Sequence, residues 1–301
     1  MKRRTDLLPG YLDLAGLVHS WEQVAQRGRA DMLVAGHSVE GRPIPAYGFG
    51  PRTGVPIFLT ALMHGDELIG GLALLHALRR LVDEGRAILD ETRLVVMPIV
   101  NPDGVRRTFS RMRAGRAIGW RKNARGVDLN RNFEVVTRGM FRHPFSGSRR
   151  PSSLHYMGPS AMSEPETRAV ARVARRVKPS LALAFHSFGN LLLYPWAFTR
   201  TPSRYRDEYR RLGRGFVSCQ DRPYRMVQSC GLYPTLGDLD DWLEDRLHVR
   251  AMTVEVSRPE RSLFTSFAFL HPIRWMNPSN ISGALENVAP GIVALLHAAL
   301  A

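Results

Sequence analysis

Residues 55–100 read VPIFLTALMHGDELIGGLALLHALRRLVDEGRAILDETRLVVMPIV, and the pattern in this stretch decides the fold class. Val55 to Met63 is an apolar run of strand length that ends at a histidine. From Glu67 to Glu84 the period changes, and Leu68, Leu72, Leu75 and Leu78 fall on one face of a helix. Arg93 to Val100 is a second apolar run of strand length. Strand, helix and strand in that order predict a β-α-β unit with parallel strands and a right-handed crossover.

The same pattern returns downstream. Ser163-Glu164-Pro165-Glu166 has the form of a capping box and predicts a helix to about Lys178, followed by a strand from Ser180 to His186. Upstream, Asp31 to Gly50 predicts two strands around the turn Glu40-Gly41-Arg42. Beyond His186, Leu191 to Trp196 and Val249 to Val256 predict strands, while Pro202 to Val217 and Asp238 to Asp245 predict helices. Ser279 to Ala301 predicts a C-terminal helix broken near Pro290. Between the two units, Asn101 to Met162 is rich in Arg, Gly, Ser and Asn and predicts a long irregular stretch, which in a compact domain is functional or disordered. The class is therefore α/β.

At 301 residues the chain sits near the upper size of one domain, so residues 1–301 are expected to form a single unit. Residues 1–30 are expected to be an N-terminal extension or a helix packed on it. The 44% hydrophobic and 23% charged composition is that of a soluble globular protein. No run of roughly 18 apolar residues is present to predict an integral membrane protein. The basic start Met1-Lys2-Arg3-Arg4-Thr5 is followed by Leu7 to Val18, which Pro9, Gly10 and Asp13 interrupt, a poor signal-peptide core. Two cysteines, Cys219 and Cys230, make no disulfide framework. A cytoplasmic location without a membrane partner is the expectation, and oligomeric state is left open. The net charge of +15 raises the question of nucleic acid. The excess is arginine spread along the chain, with only Lys2, Lys122 and Lys178 as lysines, so a solvated basic surface and no nucleic-acid partner are expected.

His64 and Glu67 follow the first predicted strand, and His186 closes the apolar run LALAF. Ligand sites of open α/β sheets form at the carboxyl ends of strands, where both histidines fall. Two imidazoles and one carboxylate make a three-ligand zinc site with its fourth position left for water, the arrangement of a hydrolase. His-x-x-Glu alone is common without any metal. A histidine ending a second apolar strand at the same sheet edge turns the pair into a candidate set.

These residues lie in strings that, in order, resemble the zinc metallocarboxypeptidases of the carboxypeptidase A/B family, in its bacterial branch. The strings are MHGDE at 63–67, NPDG at 101–104, WRKN at 120–123, GVDLNRNF at 126–133, YMGPSAMSEPET at 156–167, FHSFG at 185–189, YPTLGDLDDW at 233–242 and TVEVSRP at 253–259. The resemblance spans Asp31 to Pro259. It implies one domain with a mixed, largely parallel sheet of about eight strands flanked by helices. It also implies one Zn2+ held by His64, Glu67 and His186, with Glu255 as the catalytic general base. Arg121 matches the arginine that polarises the scissile carbonyl. Asn130 and Arg131 match the pair that grips a terminal carboxylate, with Asn132 as a structural neighbour. Tyr233 matches the tyrosine that closes over substrate, and Ser187 is a further substrate contact. Asp240 aligns with the floor of the specificity pocket, where an acid would attract C-terminal Lys or Arg; its other reading is a helix N-terminal acid. The implied partner is a peptide with a free C-terminal carboxylate.

Asp66 departs from this pattern, standing where digestive members carry an arginine. The His-Gly-Asp-Glu and Tyr-Pro-Thr strings also resemble bacterial relatives that cut the γ-D-glutamyl-diaminopimelate bond of murein peptides. A catalytically inactive binding relative is the reading from another class.

Overall fold

The computed structural model describes residues 8–136, 143–258 and 271–300. Eight strands among them form one sheet: β1 (Asp31–His37), β2 (Pro43–Phe49), β3 (Val55–Ala61), β4 (Thr92–Met97), β5 (Leu181–His186), β6 (Leu191–Tyr194), β7 (Arg225–Gln228) and β8 (Arg250–Glu255). Their order across the sheet is β1-β2-β4-β3-β5-β8-β6-β7. Pairs β3/β4, β3/β5, β5/β8 and β6/β7 are parallel, and β1/β2, β2/β4 and β6/β8 antiparallel. This is the mixed, largely parallel sheet that the sequence implies.

The helices are α1 (Leu14–Arg27), α2 (Leu68–Asp83), α3 (Arg86–Glu91), α4 (Pro102–Arg113), α5 (Pro165–Val177), α6 (Arg206–Ser218), α7 (Leu239–Leu247), α8 (Ile273–Met276) and α9 (Ile281–Ala298). Strand parity decides which layer each strand residue meets. On β3, Ile57, Leu59 and Ala61 join the core beneath α1, α2, α6 and α9, while Phe58 faces the core beneath α5 and α7. β5 repeats this with Leu181, Leu183 and Phe185 on one side and Ala182 and Ala184 on the other. On β8, Met252, Val254 and Val256 enter the first core, which turns Thr253 and Glu255 to the α7 side.

The segment from Ile273 to Ala298 has a mean hydropathy of 1.3 over an 18-residue window, long and apolar enough for a membrane span by those measures. Val288, Ile292, Leu295 and Leu296 of α9 are nevertheless core residues, packed with α2 and α6.

Three expectations need correction. The irregular stretch from Asn101 to Met162 contains α4, whose Val105, Thr108 and Met112 are buried at helical spacing behind an otherwise basic surface. The C-terminal helix runs unbroken through Pro290, because its neighbours Val288, Ala289, Gly291 and Ile292 are held by packing that outweighs one lost backbone bond. No capping box forms. α5 is preceded by Glu164, Ser163 Oγ donates to the Glu164 side chain, and Glu166 accepts from Val39 N at 3.0 Å. Helices α3 and α8 and the edge strand β7 are additions to the predicted elements. The expected N-terminal helix packed on the domain is α1, with Trp21 and Val24 fully buried; residues 1–7 lie outside the described part. Cys219 is exposed and Cys230 buried, both as free thiols.

The NPDG string locks the first strand end in place. The Asn101 side chain caps α4 by accepting from Gly104 N at 2.8 Å, and its Nδ2 donates to the carbonyls of Met63 and Arg121. Gly65 N donates to the Arg121 carbonyl at 3.0 Å, and a Cβ on Gly65 would overlap the backbone of Gly104. The backbone of Gly104 takes the space that a side chain on Gly65 would fill. Gly65→Ala is expected to lower unfolding stability by about 1–3 kcal/mol in a urea titration. A midpoint equal to that of the parent would contradict this packing.

Candidate metal centre and substrate pocket

β3 has β4 on one side and β5 on the other, so the chain order reverses at β3, the kind of crevice where α/β sheets bind ligands. His64 follows β3, and His186 ends β5 directly opposite Glu255 at the end of β8. Glu67 precedes α2, where the partial positive charge of a helix N-terminus favours a carboxylate. His64, Glu67 and His186 are all buried, and one ligand atom from each lies within 4.8 Å of the others.

The contacts are close. His64 Nδ1 is 2.8 Å from Glu67 Oε1, His186 Nδ1 is 2.7 Å from Glu67 Oε2, and the two Nδ1 atoms are 3.1 Å apart. His64 Nε2 faces Asp128 Oδ1 at 3.1 Å. An ionised carboxylate can only accept, so with a metal at Nδ1 a neutral His64 would donate through Nε2 to Asp128. Against burial and the Arg121 charge, the charges of Glu67 and Asp128 raise the His64 pKa. Donors that converge in this way can hold a cation between them, and the donor set suits zinc.

Burial works to raise the pKa of Glu67, but the charges of His64 and His186 win and hold it low. Asp128 is likewise buried, and Arg121 and His64 hold it well below the usual carboxylate range. Burial pushes His186 down, toward the neutral form that a metal ligand requires.

Asp128 organises more than His64. Arg121 Nε donates to its Oδ2 at 2.9 Å, Asn130 N donates to its Oδ1 at 3.1 Å, and His155 Nδ1 lies 3.2 Å from Oδ2. Arg121 Nη1 also donates to Glu67 Oε1 at 3.1 Å, which ties the guanidinium to the metal candidates. The strings alone leave Asp128 and His155 without a role. An acid between the buried Val127 and Leu129 is the available signal, because a buried charge requires partners.

A cavity of about 290 Å³ is lined by His64 and His186 together with Glu67, Arg121, Arg131, Tyr233 and Asp240. Asn130, Ser187 and Glu255 also line it, so every residue expected at the site is brought to one place. Among the described residues, the Ser187 hydroxyl and Glu255 Oε2 are buried without a hydrogen-bond partner, which leaves both free to meet a group in the cavity. Burial, then the Glu67 charge, pushes the Glu255 pKa well up against the opposing pull of Arg121. Asn130 Oδ1 accepts from Leu239 N at 2.9 Å, and Arg131 donates to the carbonyls of Asn130 and Phe145.

The three aspartates at the start of α7 divide their roles. Asp238 is the helix cap, accepting from Asp241 N at 3.0 Å, and Asp241 accepts from Ala197 N. Asp240 faces the cavity, accepts from Thr253 Oγ1 at 2.7 Å, and is pushed up to about 8 by burial. Asp66 is absent from the cavity lining; it is buried, its Cβ close against Gly119, and burial pushes it to about 6.

A family model described as zinc carboxypeptidase matches residues 18–280. The chain is 33% identical over 182 residues to carboxypeptidase B of Helicoverpa zea, covering 56% of this chain and 41% of that protein's length. It thus spans well under two thirds of that relative. It is 30% identical over 250 residues to murein peptide amidase A of Escherichia coli (strain K12), covering 80% of this chain and 88% of the relative. The crystal structure of carboxypeptidase A from Helicoverpa armigera superposes with a TM-score of 0.77 at 22% identity, over 96% of this chain and 74% of the other, a likeness of fold.

Because Asp128 fixes the His64 tautomer, Asp128→Asn is expected to weaken divalent-metal binding by about tenfold or more in a chelator competition. Parent-like affinity in the variant would remove this role.

Proposed function

The chain belongs to the zinc carboxypeptidase family, and we propose that it removes the C-terminal residue of peptides with the help of one zinc ion. One observation carries the reading: the cavity is lined both by a converging His-Glu-His set and by a buried arginine, Arg131. A free C-terminal carboxylate on Arg131 would place the end of a peptide in the same cavity as the histidines, as an enzyme that works from the chain end requires.

In this proposal His64, Glu67 and His186 hold the zinc, and zinc, when bound, supplies Lewis acidity that polarises a carbonyl and makes water acidic enough to attack near neutral pH. Glu255 takes the proton of the attacking water and delivers it to the leaving amine. Burial raises its pKa, which makes its ionised form a stronger base. Arg121 sets a fixed positive charge against the carbonyl oxygen as negative charge develops there. Asn130 and Arg131 hold the terminal carboxylate, Tyr233 covers the last residue, and Ser187 offers its unpartnered hydroxyl. Asp240 receives the end of a basic side chain, because a buried carboxylate is stabilised by a cation that it can pair with.

A second reading within the family is a γ-D-glutamyl-diaminopimelate amidase. It is favoured by the likeness to murein peptide amidase A, which extends over 88% of that relative. Asp240 would serve it as well, since the diaminopimelate side chain carries an amino group.

Mass spectrometry of peptides ending in Lys, Arg, Phe or Ala, beside a γ-D-glutamyl-diaminopimelate peptide, each with and without chelator, tests both readings. Chelator-sensitive loss of a terminal Lys or Arg is the expected result. Cleavage of the diaminopimelate peptide alone would select the second reading, and cleavage of none would end both.

Glu255→Gln should retain zinc while kcat falls by about 10²–10⁴-fold; a variant as active as the parent would remove the proton-transfer role. Asp240 ionises as pH rises through about 8, whereas a substrate lysine stays protonated in that range. KM for a Lys-terminated peptide should therefore fall from pH 7 to pH 9, while KM for a Phe-terminated one does not follow it. Asp240→Asn should abolish the difference, and a Lys KM that tracks the Phe KM in the parent would contradict the assignment.

A further inference from the structure

Phe145 is 51% exposed, so its ring is enclosed on part of its surface only and specific contacts set its orientation. The contacts are specific. Its ring meets Tyr233 edge to face, with centroids 5.9 Å apart and planes at 80°, and meets His155 at 5.5 Å and 63°. His155 in turn faces the Asp128 carboxylate, which also receives His64 and Arg121. The Phe145 carbonyl accepts from Arg131 Nε at 3.4 Å and from Nη2 at 3.3 Å. One residue thus touches Tyr233 with its side chain and Arg131 with its backbone.

Both contacts act on groups whose orientation matters. A guanidinium grips a carboxylate bidentately only when its plane is aimed, and two of the three Arg131 nitrogens are aimed by this one carbonyl. Among the described residues, the rings against Tyr233 are those of Phe145 and His143, the latter stacked at 6.3 Å. Edge-to-face packing restrains a ring without enclosing it, which leaves Tyr233 poised at the cavity wall. His155 also meets the Phe145 ring and itself faces Asp128, so the carboxylate beside His64 is linked through His155 to Phe145 and Tyr233.

We propose that Phe145 is a positioning residue for C-terminal recognition: its ring holds Tyr233 over the cavity and its carbonyl aims Arg131, with His155 and Asp128 as the anchor. The proposal rests on the roles given above to Arg131, which holds the terminal carboxylate, and Tyr233, which covers the last residue, and it extends them to a residue outside the metal candidates and the cavity lining.

The test is steady-state kinetics of the zinc-loaded full chain on a Lys-terminated peptide, with unfolding midpoints measured in parallel. Phe145→Ala should raise KM by about fivefold with kcat nearly unchanged, and Phe145→Tyr, which restores a ring, should return KM to the parent value. In a Tyr233→Ala background, Phe145→Ala should raise KM much less, because the group it positions has gone. Should Phe145→Ala unfold at a lower midpoint, Phe145→Leu, which keeps bulk without a ring, is read in its place with the same expectation. Hydrolysis by the parent together with an unchanged KM in the ring-less variant overturns the positioning role alone. Equal KM effects of Phe145→Ala with and without Tyr233 do the same. A parent that hydrolyses no peptide ending in a free carboxylate removes the proposed function and this inference with it.

Discussion

The carboxylate of Asp128 is the interaction on which the site depends. It is fully buried, and a buried charge of this kind persists only where donors surround it. His64, Arg121, His155 and the Asn130 amide supply them. Fixing these donors also sets their other contacts, since His64 turns its other nitrogen to the metal set, Arg121 reaches Glu67, and His155 supports Phe145. The arginine contributes electrostatically as well as geometrically, since it opposes the rise that burial imposes on the neighbouring Glu255. One buried charge thus links separate parts of the cavity wall to one another.

The sheet brings those parts within reach. Parallel β3, β5 and β8 end together, so residues far apart in sequence become neighbours by register, as His186 and Glu255 do. Close backbone approaches do the rest: Gly65 lies against Gly104, and Gly70 allows the start of α2 to settle on the end of β5. Side chains at either place would push Glu67 and His64 away from His186.

Much of this is legible in the residue pattern, and the omissions have physical reasons. The β-α-β unit can be read because its strands are buried on both faces and its helix has a continuous apolar stripe. α4 is hidden because its buried stripe of Val105, Thr108 and Met112 alternates with five arginines within and just after the helix, and a stripe that narrow is weak against so polar a background. Local geometry alone makes Pro290 a break, whereas Gly291 sits close against Phe216 and packing carries the helix on. At the site, residue types and order are enough to bring the expected residues to one cavity. They do not assign partners: Asp240 is ambiguous among three aspartates until Asp238 is seen to be the cap, and Asp128, His155 and Phe145 act through contacts that strings do not contain.

The central claim is that Asp128 and the strand ends hold His64, Glu67 and His186 around one zinc ion. It is tested most directly by an anomalous difference map, recorded across the zinc absorption edge, from crystals of the protein purified without chelator. A single dominant peak within bonding distance of Nδ1 of His64, a carboxylate oxygen of Glu67 and Nδ1 of His186 is the predicted result. No peak among those three atoms, in crystals whose zinc signal lies elsewhere, would contradict it.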